Sequence, residues 1–308
     1  ARMARRTPQN LLDQKRAWSR WRPAMLGLSL VVGCASSGGS DNAESSAESA
    51  DKFYQVALGS FQTGMYSDAE QNLDRAMSID SEHGDSLYLK GLISLVEGKD
   101  MLIAVERQLC LQDDAAELQR ERASELHRES REYFRRSVEA FGEDSPGRGR
   151  ALNSMSVVSL YFGDYETAVL EASEALREQF YGARYSALSN LGWAYYQQEK
   201  LVEAMSELRE AVRMNPGHCV SRYRLAEVYF DYGLADDAAD LLDAVVMDEN
   251  CPIQEALALK GDIYASMGRS RDAATAYREC IQAAPRSCVA EACMTRGAGD
   301  VVARDSSR

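Results

Sequence analysis

A block of about 34 residues recurs along this chain, and its small residues recur with it. Counting Tyr185 as the first position of one block, Gly192 stands eighth, Ala204 twentieth and Ala211 twenty-seventh. Leu191, Tyr195 and Leu208 lie between them, and Pro216 closes the block. Small residues at three such places let two helices approach closely, while the large ones fill the space between. A proline at the end stops the second helix. One such unit cannot bury its apolar face alone, so consecutive units must stack.

The same frame returns from Cys219 with Leu225, Ala226, Tyr229, Gly233 and Ala238, and from Gln254 with Gly261, Tyr264, Gly268, Ala273, Tyr277 and Pro285. It returns from Gly149 with Gly163, Ala168 and Ala175, and from Ala50 with Ala57, Gly64, Ala69 and Ala76. A further block from Gly84 keeps Gly91 and Gly98 and then loses the pattern. This pattern resembles the tetratricopeptide repeat. The resemblance implies an all-α tetratricopeptide-repeat superhelix of about six helix pairs over residues 51–296, with one irregularity.

The irregularity is residues 113–142, which carry no internal glycine or proline. Leu118, Leu126, Tyr133, Phe134, Val138 and Phe141 are sparse but helically spaced. The stretch reads as a long charge-rich helix replacing one regular turn, or as a degenerate repeat whose turn is hidden. After Pro285 a short capping helix is expected, followed by a disordered tail over 297–308.

The N-terminal region reads as a leader. Residues 1–22 hold seven basic residues and one acid, and residues 24–33 form a ten-residue apolar run. A membrane span needs about 20 apolar residues, whereas ten is the length of a signal-peptide core. The run ends Leu30-Val31-Val32-Gly33-Cys34, which resembles a bacterial lipobox. That resemblance implies a signal peptide over 1–33 and lipidation of Cys34. With Ala35 next, it implies an outer-membrane, periplasmic-face address. An ordinary secretory signal, or a buried helix with an incidental cysteine, are the competing readings. Residues 35–50 contain no large apolar side chain, so 34–50 is expected to be the acylated cysteine and a flexible tether.

Without residues 1–22 the chain holds 28 basic and 47 acidic residues, a net of −19. So acidic a body repels phosphate backbones, which argues against nucleic acid as a partner. Setting Cys34 aside leaves six cysteines, an even number that suits an oxidising compartment. Cys219 begins a first helix and Cys251 ends a second one, at the same edge of an antiparallel pair, so a Cys219–Cys251 disulfide is expected. Cys110 and Cys280 fall where alanine is usual; for Cys110 a small buried residue is the favoured role. One bond is expected among Cys280, Cys288 and Cys293, with its partners open. His83, His127 and His218 are isolated, and no paired C-x-x-C, H-E-x-x-H, phosphate loop or nucleophile elbow occurs. No metal, no cofactor beyond a covalent lipid, and no enzyme activity are expected.

What remains is a surface. In the tetratricopeptide frame the groove-facing positions of the first helices are rich in aromatics. They include Tyr54 and Phe61, Tyr88 and Leu92, Leu160 and Tyr161, Trp193 and Tyr196, and Tyr223 and Phe230. Aromatic side chains are over-represented in binding hot spots, although each could equally pack between repeats. Together with the stretch "YQVALGSFQTGMYSDAEQNLDRAMSID" after the tether, lipobox and repeats resemble the type IV pilus biogenesis lipoproteins of the Tgl and PilF/PilW kind. That resemblance implies a pilotin whose partner is the pilus secretin. The other reading is a general periplasmic scaffold for outer-membrane protein assembly or cell-wall enzymes.

Overall fold

The computed structural model describes residues 41–108, 110, 114–143, 145–251 and 253–305. Within them the chain is helical throughout, forming six antiparallel pairs and a cap. The pairs are α1 (Asp41–Gln62) with α2 (Tyr66–Ile79), α3 (Gly84–Gln108) with α4 (Asp114–Phe141), and α5 (Pro146–Phe162) with α6 (Tyr165–Arg177). Then follow α7 (Arg184–Gln197) with α8 (Leu201–Met214), α9 (Cys219–Tyr232) with α10 (Ala235–Val246), and α11 (Gln254–Ser266) with α12 (Ser270–Ala283). The cap is α13 (Cys288–Asp305).

Each helix packs on the next, and the first helices of neighbouring pairs also touch one another. The first helices therefore line the inner side of the curve. The small residues do what their spacing requires. A Cβ on Gly192 would stand 2.7 Å from Leu208 Cγ and 3.0 Å from the Ala204 carbonyl oxygen. Alanines at the matching places, among them Ala168, Ala204, Ala211, Ala238 and Ala273, are fully buried.

The turn inside a regular pair uses a left-handed residue at the fifteenth position of the block. Gly64, Gly163, Gly233 and Gly268 hold φ between 72° and 96°, and Glu199 fills the same place at φ 62°. Gly98 is the corresponding residue of the second pair, yet it lies inside α3. A Cβ there would stand 3.0 Å from the Ala123 carbonyl oxygen and 3.2 Å from His127 Nε2. The helix runs straight through, and α4 runs back beside it. Three glycines one heptad apart mark the seam: Gly84 faces Phe141, Gly91 faces Phe134 and Gly98 faces His127. Phe134 is fully buried. Residues 114–141 are thus a long helix, and its partner is lengthened to match.

Two boundary expectations are corrected. Helix α1 starts at Asp41, so the last part of the expected tether is helical, and Ala50 is fully buried. Alanine, serine and glutamate add turns to a docked helix without a new nucleation step. Helix α13 likewise continues to Asp305, through most of the expected disordered tail. Cys34, the leader and the first part of the tether lie outside the described residues. Among the described residues no helix is long and apolar enough to cross a membrane.

Candidate interaction face

The inner face is built from α1, α3, α5, α7, α9 and α11, and the ten aromatic and aliphatic residues expected to line it divide into two classes. Leu160, Trp193 and Tyr223 are buried, with Trp193 only 2% exposed. This corrects their reading as groove-lining contacts. Trp193 packs with Leu160, Ala168 and Ala194, and Tyr223 joins the core shared by α9, α10, α11 and α12. An indole that fills the joint between α5 and α7 cannot also meet a partner.

The others are half-buried, one side in the core and one side out. Tyr54, Phe61 and Leu92 rest on the Ala57, Leu73, Leu89 and Ile93 cluster of the first two pairs. Tyr88 places its hydroxyl 3.4 Å from Ser154 Oγ and its ring 5.6 Å from Phe134. Arg150 lies over the Tyr88 ring at 5.0 Å and pairs with Asp85 at 2.8 Å. Burial and the Asp85 charge push Tyr54 up to about 12, against the pull of Arg150. Tyr161 meets Ser124 Oγ at 3.1 Å and the His127 ring at 3.9 Å. Tyr196 stacks near Trp193 and donates to Asp231 Oδ2 at 2.5 Å. Phe230 packs against the α9–α12 core.

A polar ladder on the same helices has no counterpart in the repeat pattern. Asn153 Nδ2 donates to Ser186 Oγ at 3.2 Å. Asn190 Nδ2 donates to Asn153 Oδ1 at 3.0 Å and to Ser156 Oγ at 3.1 Å. Arg224 Nη1 reaches the Ser189 carbonyl, Ser189 Oγ and Asn190 Oδ1 at 3.0–3.1 Å, and its guanidinium lies over Trp193 at 5.3 Å. The ladder thus passes from α5 through α7 to α9. Burial draws the Arg224 pKa down and Glu227 opposes it; three oxygen acceptors compensate the buried charge. The sequence signal was a polar residue at the fifth or sixth place of three successive blocks: Asn153, Asn190 and Arg224. Beside the ladder, His218 is held down to about 4 by burial and by Arg224 and Arg222.

Ion pairs fix the joint between the long pair and the regular array. Arg131 of α4 donates to Glu171 at 2.5 Å and to Ser159 Oγ at 2.6 Å, and Ser159 donates to the other Glu171 oxygen at 2.6 Å. Arg148 holds Glu178 at 2.8 Å and Glu174 at 2.5 Å within the α5–α6 pair, and crosses the joint by donating to the Val138 carbonyl of α4 at 3.3 Å.

The six remaining cysteines form three disulfides. Cys219 is joined to Cys251, with Cα atoms 5.5 Å apart. Cys280 is joined to Cys293. Cys110 is joined to Cys288, with Cα atoms 4.9 Å apart across a separation of 178 residues. Cys110 is therefore not the alanine substitute its position suggested, because the lengthened α3 carries it away from the pair interface. Cys219, Asp248 and Cys251 cluster as metal ligands do. The two sulfurs are bonded to each other, and Arg222 sits 2.8 Å from Asp248 and 3.1 Å from Cys251 Sγ. As joined, the cluster is a stapled corner.

Residues 155–294 match the tetratricopeptide repeat-like domain family. The fold is a tetratricopeptide-repeat superhelix. Among solved structures the chain resembles PilF of Pseudomonas aeruginosa at 18% identity and TM-score 0.57, covering 82% of this chain and 99% of that one. It resembles PilW, described as a widely conserved type IV pilus biogenesis factor, at 14% identity and TM-score 0.61, covering 80% and 98%. The Cut9–Hcn1 structure of the APC/C aligns at 11% identity and TM-score 0.63, over 83% of this chain and 45% of that one. These likenesses are likenesses of fold. No curated protein matches the sequence. The family match begins within α5, past the long pair, where the regular small-residue frame resumes.

Proposed function

We propose that this tetratricopeptide-repeat protein is a pilotin: an outer-membrane lipoprotein that binds the type IV pilus secretin and promotes its assembly. The observation that carries this reading is the near end-to-end overlay on PilF and PilW, which accounts for 99% and 98% of those chains. The lipobox supports the anchor. Acylated Cys34 holds the protein on the inner leaflet of the outer membrane, since each buried methylene contributes about 0.8 kcal/mol. The half-buried tyrosines and Phe61, Leu92 and Phe230 of the inner face take up a segment of secretin. Tethering raises the local concentration of secretin where its ring must form. The protein acts as a scaffold, and no bond is made or broken.

The test is deletion of the gene followed by a blot for heat-resistant secretin multimers. Loss of multimers, restored by the wild-type gene and not by Cys34→Ser, is the expected result. Normal multimers and normal pilus motility in the deletion strain would sink the pilotin reading and favour the general scaffold. Retention of the Cys34→Ser protein in the membrane fraction at its lipidated mass would sink the anchor.

A further inference from the structure

The three disulfides are not equivalent. Cys219, Cys251, Cys280 and Cys293 are each at most 4% exposed. Cys110 and Cys288 are both only partly buried. The two buried bonds join neighbours: Cys219–Cys251 closes a corner of the α9–α11 stack, and Cys280–Cys293 pins α13 to α12. Cys110–Cys288 joins distant parts. Cys110 sits at the tip of the α3–α4 hairpin in a left-handed conformation, φ 48°, and Cys288 is the first residue of the cap. The hairpin packs on α2 and α5, whereas the cap packs on α11 and α12. The bond therefore closes a circuit that runs α4, α5 and onward through each pair to α13 and back.

We infer that the Cys110–Cys288 bond is a reducible latch between the hairpin and the cap, opened by a dithiol reductant while the two buried bonds hold. Thiol–disulfide exchange needs a path for the attacking thiolate, and this is the bond that offers one. The two thiols of the reductant give up two electrons and two protons to the bond. Cys110 and Cys288 become thiols, and the reductant leaves as its cyclic disulfide. Neither cysteine is a core residue, so both can part without opening a cavity. With the latch shut, the distance from hairpin tip to cap is set, and with it the curvature of the inner face. With the latch open, the circuit is broken and the array relaxes to the wider curve that its repeat interfaces alone set. The redox state of one bond thus sets how wide the inner face stands. This inference does not depend on the pilotin reading.

The test uses the full mature chain. Dithiothreitol is titrated against it, free thiols are alkylated, and the labelled cysteines are mapped by mass spectrometry, with small-angle scattering at each step. Labelling of Cys110 and Cys288 at about tenfold less reductant than the other four is expected, together with a larger maximum dimension at unchanged helical content. Earlier or simultaneous opening of another pair overturns the proposal, and so does an unchanged dimension once the bond is open. The Cys110→Ser/Cys288→Ser protein should show the expanded shape without reductant. A variant that is folded, by its helical content, and as compact as the wild type also overturns it. Should that variant not fold, the wild-type titration decides alone.

Discussion

The α7–α8 pair and the α3–α4 pair carry the same small-residue signature and use it differently. In α7–α8 the contact at Gly192 is followed by a turn at Glu199, and the pair closes after two short helices. In α3–α4 the contact at Gly91 is followed by a second at Gly98, where the turn should come. One glycine makes a bend and another makes a close crossing. What decides is the partner helix: Phe134 and His127 lie seven residues apart on α4, so continuing α3 buries a second layer that turning would leave exposed. A glycine thus records that two backbones come near or that one reverses, and only the facing strip says which.

This contrast can be broken from either side. The largest effect is expected from Phe134→Ala, which empties the centre of the long seam and should cost about 3–5 kcal/mol in urea unfolding. Next comes the stapled corner: Cys219→Ser with Cys251→Ser should lose about 3–4 kcal/mol, for a separation of 32 residues. Gly91→Val should cost about 3 kcal/mol, at the upper end of overpacking, by driving a side chain into the Phe134 ring.

His218 gives a pH-dependent test within the regular region. Its pKa falls on folding from 6.5 to about 4. The unfolded chain therefore binds the proton more readily, so the contribution is full above pH 6.5 and lost as pH falls through 4. The loss should approach about 3 kcal/mol, and His218→Gln should flatten that part of the stability–pH curve. An unaltered slope in the variant would remove His218 as its source. The smallest effect sharpens the turn. Glu199→Gly should raise stability by about 1 kcal/mol, because glycine takes the left-handed conformation without a Cβ clash. Gly98→Ala should move the other way, since α3 has no room there.

The repeated frame was readable because its reasons are local. Small residues at fixed intervals can satisfy one packing geometry, and a single sequence displays them. The long helix over 114–141 was one of two readings of its stretch, because helical spacing alone does not show whether a turn interrupts it. Trp193 was misplaced because groove and joint positions lie on adjacent strips of one helix, and only the neighbouring pair shows which strip an indole takes. The Cys219–Cys251 pairing followed from the edge geometry of one pair. The Cys110–Cys288 pairing could not, because it depends on the accumulated curvature of several pairs. The helical start at Asp41 was hidden because small polar residues suit a tether and a docked helix equally.

The ladder from Asn153 through Asn190 to Arg224 carries one more consequence. Each inner helix hands a polar group to the next, and the groups differ: the Asn153 amide accepts from the Asn190 amide, and Asn190 in turn accepts from the Arg224 guanidinium. Units joined in this way are not interchangeable. Duplicating or deleting one pair between α5 and α9 would strand a buried amide or cation against an apolar neighbour. Arrays of this fold commonly change length by gaining and losing copies. Here three side chains act as a spelling check, so this stretch can vary at its ends while its middle keeps a single order.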